Sequence, residues 1–376
     1  MKSLNFLLFI IAAISMCMCS KRTIEDKKVF TKQDLIRFPV DHSINPYAVN
    51  IEYFETPDGH CLLYILDGNN NLLVFDYESR EMIRKITLEK EGNNGVGKAN
   101  GFKILSTDSI IISSRFFKNF FLVDSKGIVI KSYEFDSESL ATSYTCSNNQ
   151  QQILFIDSTL ILPQNIEGNW NYISKEYYTN YSTTIDFNLN SREIIKSGMG
   201  LPFECPRLPS TSFSFKPFNN KIIYSFAASD SIYIFDNGTI ISKYAKSPNV
   251  NKLIGDIRKN SSSVDVVLRN KIQSDEYFML LPDSFRNVIY RFYKIGLDNI
   301  SKSENISDIN AFPPKFGIQV IDDQFETISD VVFPENKYFF SNSFVNKDGL
   351  FISVNHPNNP DFNIDFFSFD QFIFQP

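Results

Sequence analysis

One unit recurs along this chain and limits the folds open to it. An apolar strand ends in aspartate, a short polar turn follows, and a second strand returns with alternating apolar residues. It reads Leu72-Leu-Val-Phe-Asp76 before Met82-Ile-Arg-Lys-Ile86, and Phe120-Phe-Leu-Val-Asp124 before Ile128-Val-Ile-Lys-Ser-Tyr133. It returns as Thr183-Thr-Ile-Asp186 before Ile194-Ile-Lys196, and as Ile232-Tyr-Ile-Phe-Asp236 before Ile240-Ile-Ser-Lys-Tyr244. The aspartates are spaced by 48, 62 and 50 residues. A looser copy runs from Val288–Tyr293 through Leu297-Asp298 to Ile306. Each copy follows another apolar run across a polar turn, as Leu62–Leu66 does through Asp67-Gly-Asn-Asn-Asn71, and Ile222–Ala227 through Ser229-Asp230-Ser231. Short apolar, β-branched and aromatic runs bounded by turn residues are strands. Helical periodicity is almost absent. A repeat of three or four antiparallel strands is a propeller blade, which buries its faces only by packing radially against other blades. The expected fold is therefore an all-β propeller of about six blades. Seven blades and tandem β-sandwiches are the alternatives, although sandwiches predict no recurrent unit. Asp76, Asp124, Asp186 and Asp236 are read as turn-capping positions, whose carboxylates accept hydrogen bonds from N–H groups of the next turn.

The start of the chain has a different character. Lys2 precedes an apolar run from Leu4 to Ile14, interrupted only by Asn5. The run suits a signal peptide and is too short to span a bilayer as a helix. It ends at Ser15-Met-Cys17-Met-Cys19-Ser-Lys-Arg22, which resembles a bacterial lipobox. Cys17 has the better upstream residues, Ile14 and Ser15. Cys19 has the better downstream context, and the attachment site stays open between them. The expected organisation is a lipoprotein signal peptide over 1–19, a charged tether over 20–38 and a propeller over 39–376. More than one acyl chain at the new N-terminus would give a stable anchor. The expected location is the bacterial cell envelope, lipid-anchored in the outer membrane.

Hydrophobic residues make up 43% of the chain and charged residues 21%, enough apolar material for a packed core. The net charge is −6 and the basic residues are scattered, which argues against nucleic acid as a partner. Cys61 lies in the apolar run Cys-Leu-Leu-Tyr-Ile65 and reads as a small buried hydrophobe. Cys146 and Cys205 are free to pair in an oxidising compartment, but no disulfide framework is implied. The 37 phenylalanines read as strand cores, and the pairs Phe116-Phe117 and Phe120-Phe121 as blade-packing residues.

The combination of lipobox, strand–Asp–turn–strand repeat and the stretch Glu91-Gly-Asn-Asn-Gly-Val-Gly97, with Gly101-Phe102 after it, resembles a family of bacterial lipoproteins with a TolB-like six-bladed propeller. One branch of it is a domain of unknown function. The resemblance implies the fold, with the glycine-rich stretch as an inter-blade loop, and implies no catalytic residues.

The sequence offers little recognisable chemistry. His42, His60 and His356 have no partner ligand at metal-binding spacing. No Gly-x-Ser-x-Gly elbow is present. Calcium needs only oxygens, which Asp322-Asp323 and Asn69–Asn71 supply, but turn capping accounts for both, and no cofactor is expected. The glycine-rich stretch lacks the Lys-Ser/Thr ending of a phosphate loop. The leading expectation is a non-enzymatic binding or scaffold module for a protein, peptide or glycan. The alternative is a propeller hydrolase or lyase acting on a glycan or lactone, with paired carboxylates at the channel mouth.

Overall fold

The apolar runs are covered by protein on both faces. All seven residues of Cys61–Asp67 are buried, as are all seven of Val288–Lys294. Strands buried on both faces belong to sheets that are themselves sandwiched between neighbours. The structure, a computed structural model, describes residues 30–114, 119–134, 144–145, 149–165, 182–202, 212–236, 238–254, 263–301 and 304–375. The expected signal peptide, with Cys17 and Cys19, lies outside these residues, as do Phe116, Phe117, Cys146 and Cys205.

In chain order, β1 (Phe30–Pro39) comes first. Blade 1 follows with β2 (Ala48–Glu55), β3 (Cys61–Asp67), β4 (Asn71–Asp76) and β5 (Met82–Thr87). Blade 2 has β6 (Ala99–Ser106), β7 (Ser109–Ser114), β8 (Asn119–Val123) and β9 (Val129–Glu134). Blade 3 has β10 (Tyr144–Thr145), β11 (Leu154–Ile156), β12 (Thr159–Asn165), β13 (Thr184–Asn188) and β14 (Ile194–Ser197). Blade 4 has β15 (Phe213–Phe218), β16 (Lys221–Phe226), β17 (Ser231–Asp236) and β18 (Thr239–Tyr244). The helix α1 (Val264–Ile272) leads to blade 5, with β19 (Glu276–Asp283), β20 (Val288–Lys294), α2 (Ile306–Ala311), β21 (Phe316–Ile321) and β22 (Thr327–Val332). Blade 6 joins β23 (Phe339–Asn346), β24 (Gly349–Ser353) and β25 (Phe366–Phe374) to β1, in the order β1-β25-β24-β23. The fold is a six-bladed β-propeller, so the seven-blade and sandwich alternatives fall away. Neither short helix is signalled by the sequence periodicity.

The ring closes through β1, which pairs antiparallel with β25 from Phe30↔Phe374 to Pro39↔Phe366. This corrects the tether, expected to run to residue 38. Its second part, from Phe30, is the outer strand of blade 6. The charged residues there misled the reading because an outer strand buries only one face. Phe30, Ile36 and Phe38 point inward, while Thr31 to Asp34 are exposed.

Apolar side chains fill each gap between blades. Leu62, Tyr64 and Val74 of blade 1 meet Phe102, Ile110 and Ile112 of blade 2. Phe120 stacks on Tyr133 at 4.8 Å and meets Phe187 of blade 3 edge-on at 5.0 Å. Between blades 5 and 6, Phe316 stacks on Phe340 at 4.6 Å and on Phe333 at 4.9 Å. Offset and edge-on aromatic pairs contribute about 0.5–1.5 kcal/mol each beyond burial, so the phenylalanine content serves blade packing. The outer strands are largely exposed and carry cations, such as Arg84, Lys85, Lys131 and Lys243, that discourage edge-to-edge pairing.

A side-chain oxygen caps the turn after the third strand in blades 1, 2, 3 and 5, though not always at a repeat aspartate. Asp76 accepts from Ser79 N at 2.7 Å, and Asp124 from Lys126 N and Ile128 N at 2.9 and 2.8 Å. In blade 3 the cap is Asn188, which accepts from Asn190 N and Ser191 N, both at 2.9 Å. Asp186 lies two residues upstream inside β13, paired with Ile195, and accepts from Ser197 Oγ. The strand is longer than the repeat suggests, and asparagine makes the same turn as aspartate. Asp236 ends β17 and pairs with Lys221 at 3.6 Å. In blade 5 the cap is Asp322, accepting from Gln324 N and Glu326 N at 3.0 and 2.8 Å, and the looser copy of the repeat through Asp298 does not mark this turn. The insertion carrying α2 displaces the third strand to Phe316–Ile321.

Phe38 is fully buried where blades 1 and 6 meet, 5.3 Å from Phe75 and 6.0 Å from Phe369. Phe38→Ala is expected to lower the unfolding free energy by about 3–5 kcal/mol, measured by denaturant titration. A loss below 1 kcal/mol would mean that the β1 closure contributes little.

Candidate functional site

The six innermost strands surround the propeller axis, and among the described residues one segment crosses it. The inner strand of blade 3 is split. β10 pairs with the end of β12 at Gln164 and Asn165, and β11 with its start at Thr159 to Ile161. Between the two halves, residues 149–153 lie outside the ladder and reach the inner strands of other blades. Asn149 Oδ1 accepts from Ile51 N of blade 1 at 2.6 Å, and Asn149 Nδ2 lies 2.7 Å from the Asn342 amide of blade 6. Gln152 Nε2 donates to Ile51 O at 2.9 Å. Ser214 Oγ of blade 4 donates to Gln150 O at 2.8 Å and accepts from Leu280 N of blade 5 at 3.0 Å. Amides suit this position because each supplies both a donor and an acceptor to strand groups that would otherwise be buried unpaired.

The plug turns the channel into a cup of about 630 Å³, lined by residues from all six blades. Its mouth lies among the first turns of the blades, represented by Ile156, Asn219, Asn220 and Ser284. Charged side chains converge inside it. Glu52 comes from β2, Lys103 from β6 and Lys216 from β15, each standing alone in an otherwise apolar or uncharged stretch of inner strand. Lys103 Nζ pairs with Glu52 Oε1, and Ile104 N donates to Glu52 Oε2 at 3.3 Å. Lys216 Nζ donates to Gln152 Oε1. Lys216 is only 5% exposed. Burial, reinforced by the Lys103 charge and opposed by Glu52, pushes its ammonium down to about 7. The cup therefore holds the Glu52 carboxylate paired with Lys103, the buried amine of Lys216 and, beside Asn219 and Asn220, Lys221, which pairs with Asp236 at 3.6 Å.

The residues singled out by sequence have other roles. Asp67 accepts from Asn69 N at 2.8 Å and from Asn71 N at 2.7 Å, and Asp323 accepts from Asn287 Nδ2 at 2.6 Å. The Asn69–Asn71 turn thus donates its N–H groups to Asp67, and the Asp322-Asp323 carboxylates accept from N–H donors. Among the described residues no group of three His, Cys, Asp or Glu could hold a metal ion. His42 and His60 are exposed, beside Asp365 and Asp58. His356 is buried. It accepts from Asn358 N at 3.1 Å through Nδ1 and contacts Phe312 O at 3.2 Å through Nε2. These two bonds fit the neutral tautomer protonated at Nε2, and burial lowers the pKa. Cys61 is a buried free thiol in the core. The Glu91–Gly97 stretch links blades 1 and 2 and is held by Val96 N to Glu89 O at 2.8 Å and by Asn70 Nδ2 to Gly97 O at 2.6 Å. Gly92 there has φ +89°, a conformation that favours glycine. On the opposite face Tyr47, Phe312, Phe339 and Phe362 form a half-buried aromatic cluster, with Tyr47 stacked on Phe362 at 5.8 Å. Its rings pack chiefly on one another.

Sequence reading missed the cup residues. The available signal was the isolated charge in Ile51-Glu-Tyr53, Phe102-Lys-Ile104 and Phe213-Ser-Phe-Lys-Pro-Phe218, and the run Asn149-Gln-Gln-Gln152 where a blade's first strand should be continuous.

Comparison with known proteins locates the fold in a family. The profile of a domain of unknown function (DUF4221) matches residues 28–329. A solved member of that family from Bacteroides vulgatus shares 22% identity at a TM-score of 0.81, covering 92% of this chain and 98% of its own. A Bacteroides fragilis protein described as exported shares 12% identity at a TM-score of 0.60, covering 94% of this chain and 98% of its own. No curated protein matches the chain.

The buried amine makes a signed expectation. A lysine whose folded pKa lies below its unfolded value destabilises the fold fully below the folded pKa, and the effect vanishes above the unfolded one. Lys216→Met is expected to stabilise the protein by about 1–4 kcal/mol at pH 6, with the gain shrinking toward pH 10. Denaturant midpoints across that range check it, and a pH-independent effect would contradict the assignment.

Proposed function

The chain belongs to the DUF4221 family, and from that premise and the cup geometry we propose an exported, lipid-anchored envelope protein that binds a small anionic ligand in the propeller cup. Export is supported by the apolar run Leu4–Ile14 and by the similarity to the exported Bacteroides fragilis protein. Anchoring is supported by the lipobox-like residues around Cys17 and Cys19. Among the described residues no helix is long and apolar enough to cross a membrane.

The observation that carries the ligand class is the set of Lys103, Lys216 and Glu52 at the base of a cavity sealed by Gln152. With Lys216 protonated, the set has an excess positive charge in a partly dehydrated site. An anion entering there meets a weakened dielectric screen and pulls Lys216 toward its charged form. Glycoside hydrolysis by the usual arrangement needs two carboxylates. Among the described lining residues Glu52 is the single carboxylate, so the geometry favours binding over hydrolysis.

Two measurements test the reading. Calorimetric titration of the purified chain with inorganic phosphate and with succinate is expected to show binding at pH 6 that weakens at least about tenfold by pH 9, as Lys216 loses its proton. Lys103→Met is expected to weaken it at both values. No binding at pH 6 would end the anion reading. Separately, labelling cells with an alkyne fatty acid is expected to tag the protein, and either Cys17→Ser or Cys19→Ser to abolish the tag. A tag surviving the double substitution would remove the anchor assignment.

A further inference from the structure

Resting on the cup as a ligand site, we propose that its ligand carries an aldehyde or ketone and that Lys216 joins it reversibly as an imine. The cup is open enough to admit a small molecule, with a volume of about 630 Å³. Lys216 lies among its lining residues, yet its own side chain is nearly enclosed. The hydrogen-bond partner seen for its amine is an amide oxygen, Gln152 Oε1, rather than a carboxylate. A neutral Nζ satisfies that contact with one N–H and keeps its lone pair. Nearby, Lys103 and Glu52 form an ion pair that can hand a proton to a departing oxygen and recover it. A desolvated lysine beside a second cation has the two features that activate an amine as a nucleophile toward carbonyl carbon.

The step balances within the site. Nζ attacks the carbonyl carbon to form a C–N bond, and the carbonyl oxygen becomes a hydroxyl. A second proton, relayed through the Lys103–Glu52 pair, lets that hydroxyl leave as water while C=N forms. The two hydrogens lost by Nζ leave in that water, and no electrons pass to any other group. An anionic substituent on the ligand can rest against Lys103, so small 2-oxo acids and aldehyde acids are the fitting class.

Reductive trapping tests this on the intact chain. The protein is incubated with glyoxylate or, separately, with propionaldehyde, then treated with cyanoborohydride, and modified peptides are mapped by mass spectrometry. At pH 7, Lys216 is expected to be modified at least about tenfold faster than exposed lysines such as Lys126, because a far larger fraction of it is neutral. Lys103→Met removes a like charge, so the pH midpoint for propionaldehyde trapping at Lys216 is expected to rise. A lysine closed off from the cup would give no trapping to titrate. Trapping at Lys216 no faster than at Lys126, or a midpoint unmoved by Lys103→Met, would overturn the imine. Phosphate titration in parallel separates the two readings. Phosphate binding without trapping overturns the imine alone, and absence of both overturns the cup as a ligand site.

Discussion

A propeller holds together only if its last blade is closed, and here closure depends on one strand from the beginning of the chain. β1 completes blade 6 by pairing with β25, so the two ends of the described chain meet in one sheet. Without that pairing, β25 would present an open edge and Phe38 would lose its place against Phe75 and Phe369. The closure also fixes direction. β23 runs from the long connections toward the first turn at Asn346–Gly349, and the alternation β24, β25, β1 brings Phe30 back to that same face. The cup opens there too. On the proposed anchoring, the segment preceding Phe30 therefore joins the body at the rim of the face that carries the mouth.

Closure explains why the sequence repeat is both informative and incomplete. Blades 1 to 4 contain the strand–turn–strand unit as continuous sequence, and it is legible from the capping residues and the alternation of the outer strand. Blade 5 hides it, because the α2 insertion separates β20 from β21. Blade 6 cannot show it at all, since its third and fourth strands come from opposite ends of the chain and no turn joins them. The same circumstance made Phe30–Pro39 resemble a tether. A single half-exposed strand has no partner in its own neighbourhood to reveal it. Asp186 and Asn188 show the limit at residue level. Two positions apart, they lie on one side of the strand, and only the strand's length decides which reaches the turn.

The junction of blades 4 and 5 shows how this fold treats a buried cation that has a structural task. Arg291 is fully buried on β20. It donates to Ser229 O, Ala245 O and Ser231 O at 2.7, 2.9 and 3.2 Å, and to Ser225 Oγ at 2.8 Å. Its guanidinium lies 3.4 Å over the Tyr277 ring. The planar fork collects two carbonyls of the β16–β17 turn and that of Ala245 after β18. Lys294 is treated alike, donating to Lys271 O at 2.6 Å and to Glu276 Oε2 at 3.1 Å. In both cases desolvation is offset by acceptors placed around the charge.

Lys216 departs from that treatment, and the departure separates the cup from the scaffold. It is as well enclosed as Lys294, yet one amide oxygen faces it where Lys294 has a carboxylate and a carbonyl. A second ammonium lies near it, while the nearest carboxylate, Glu52, is paired with that ammonium. A buried charge so poorly compensated destabilises the native state, and Met at this position would carry no such penalty. The aromatic gaps between blades supply stability that tolerates the loss, but they do not require it. Neither blade packing nor ring closure needs an amine on the axis. Lys216 faces the opening whose floor the Asn149–Gln152 plug sets. On the proposed reading, the plug and the lysine are the floor and the reactive group of one site that receives its ligand from the mouth.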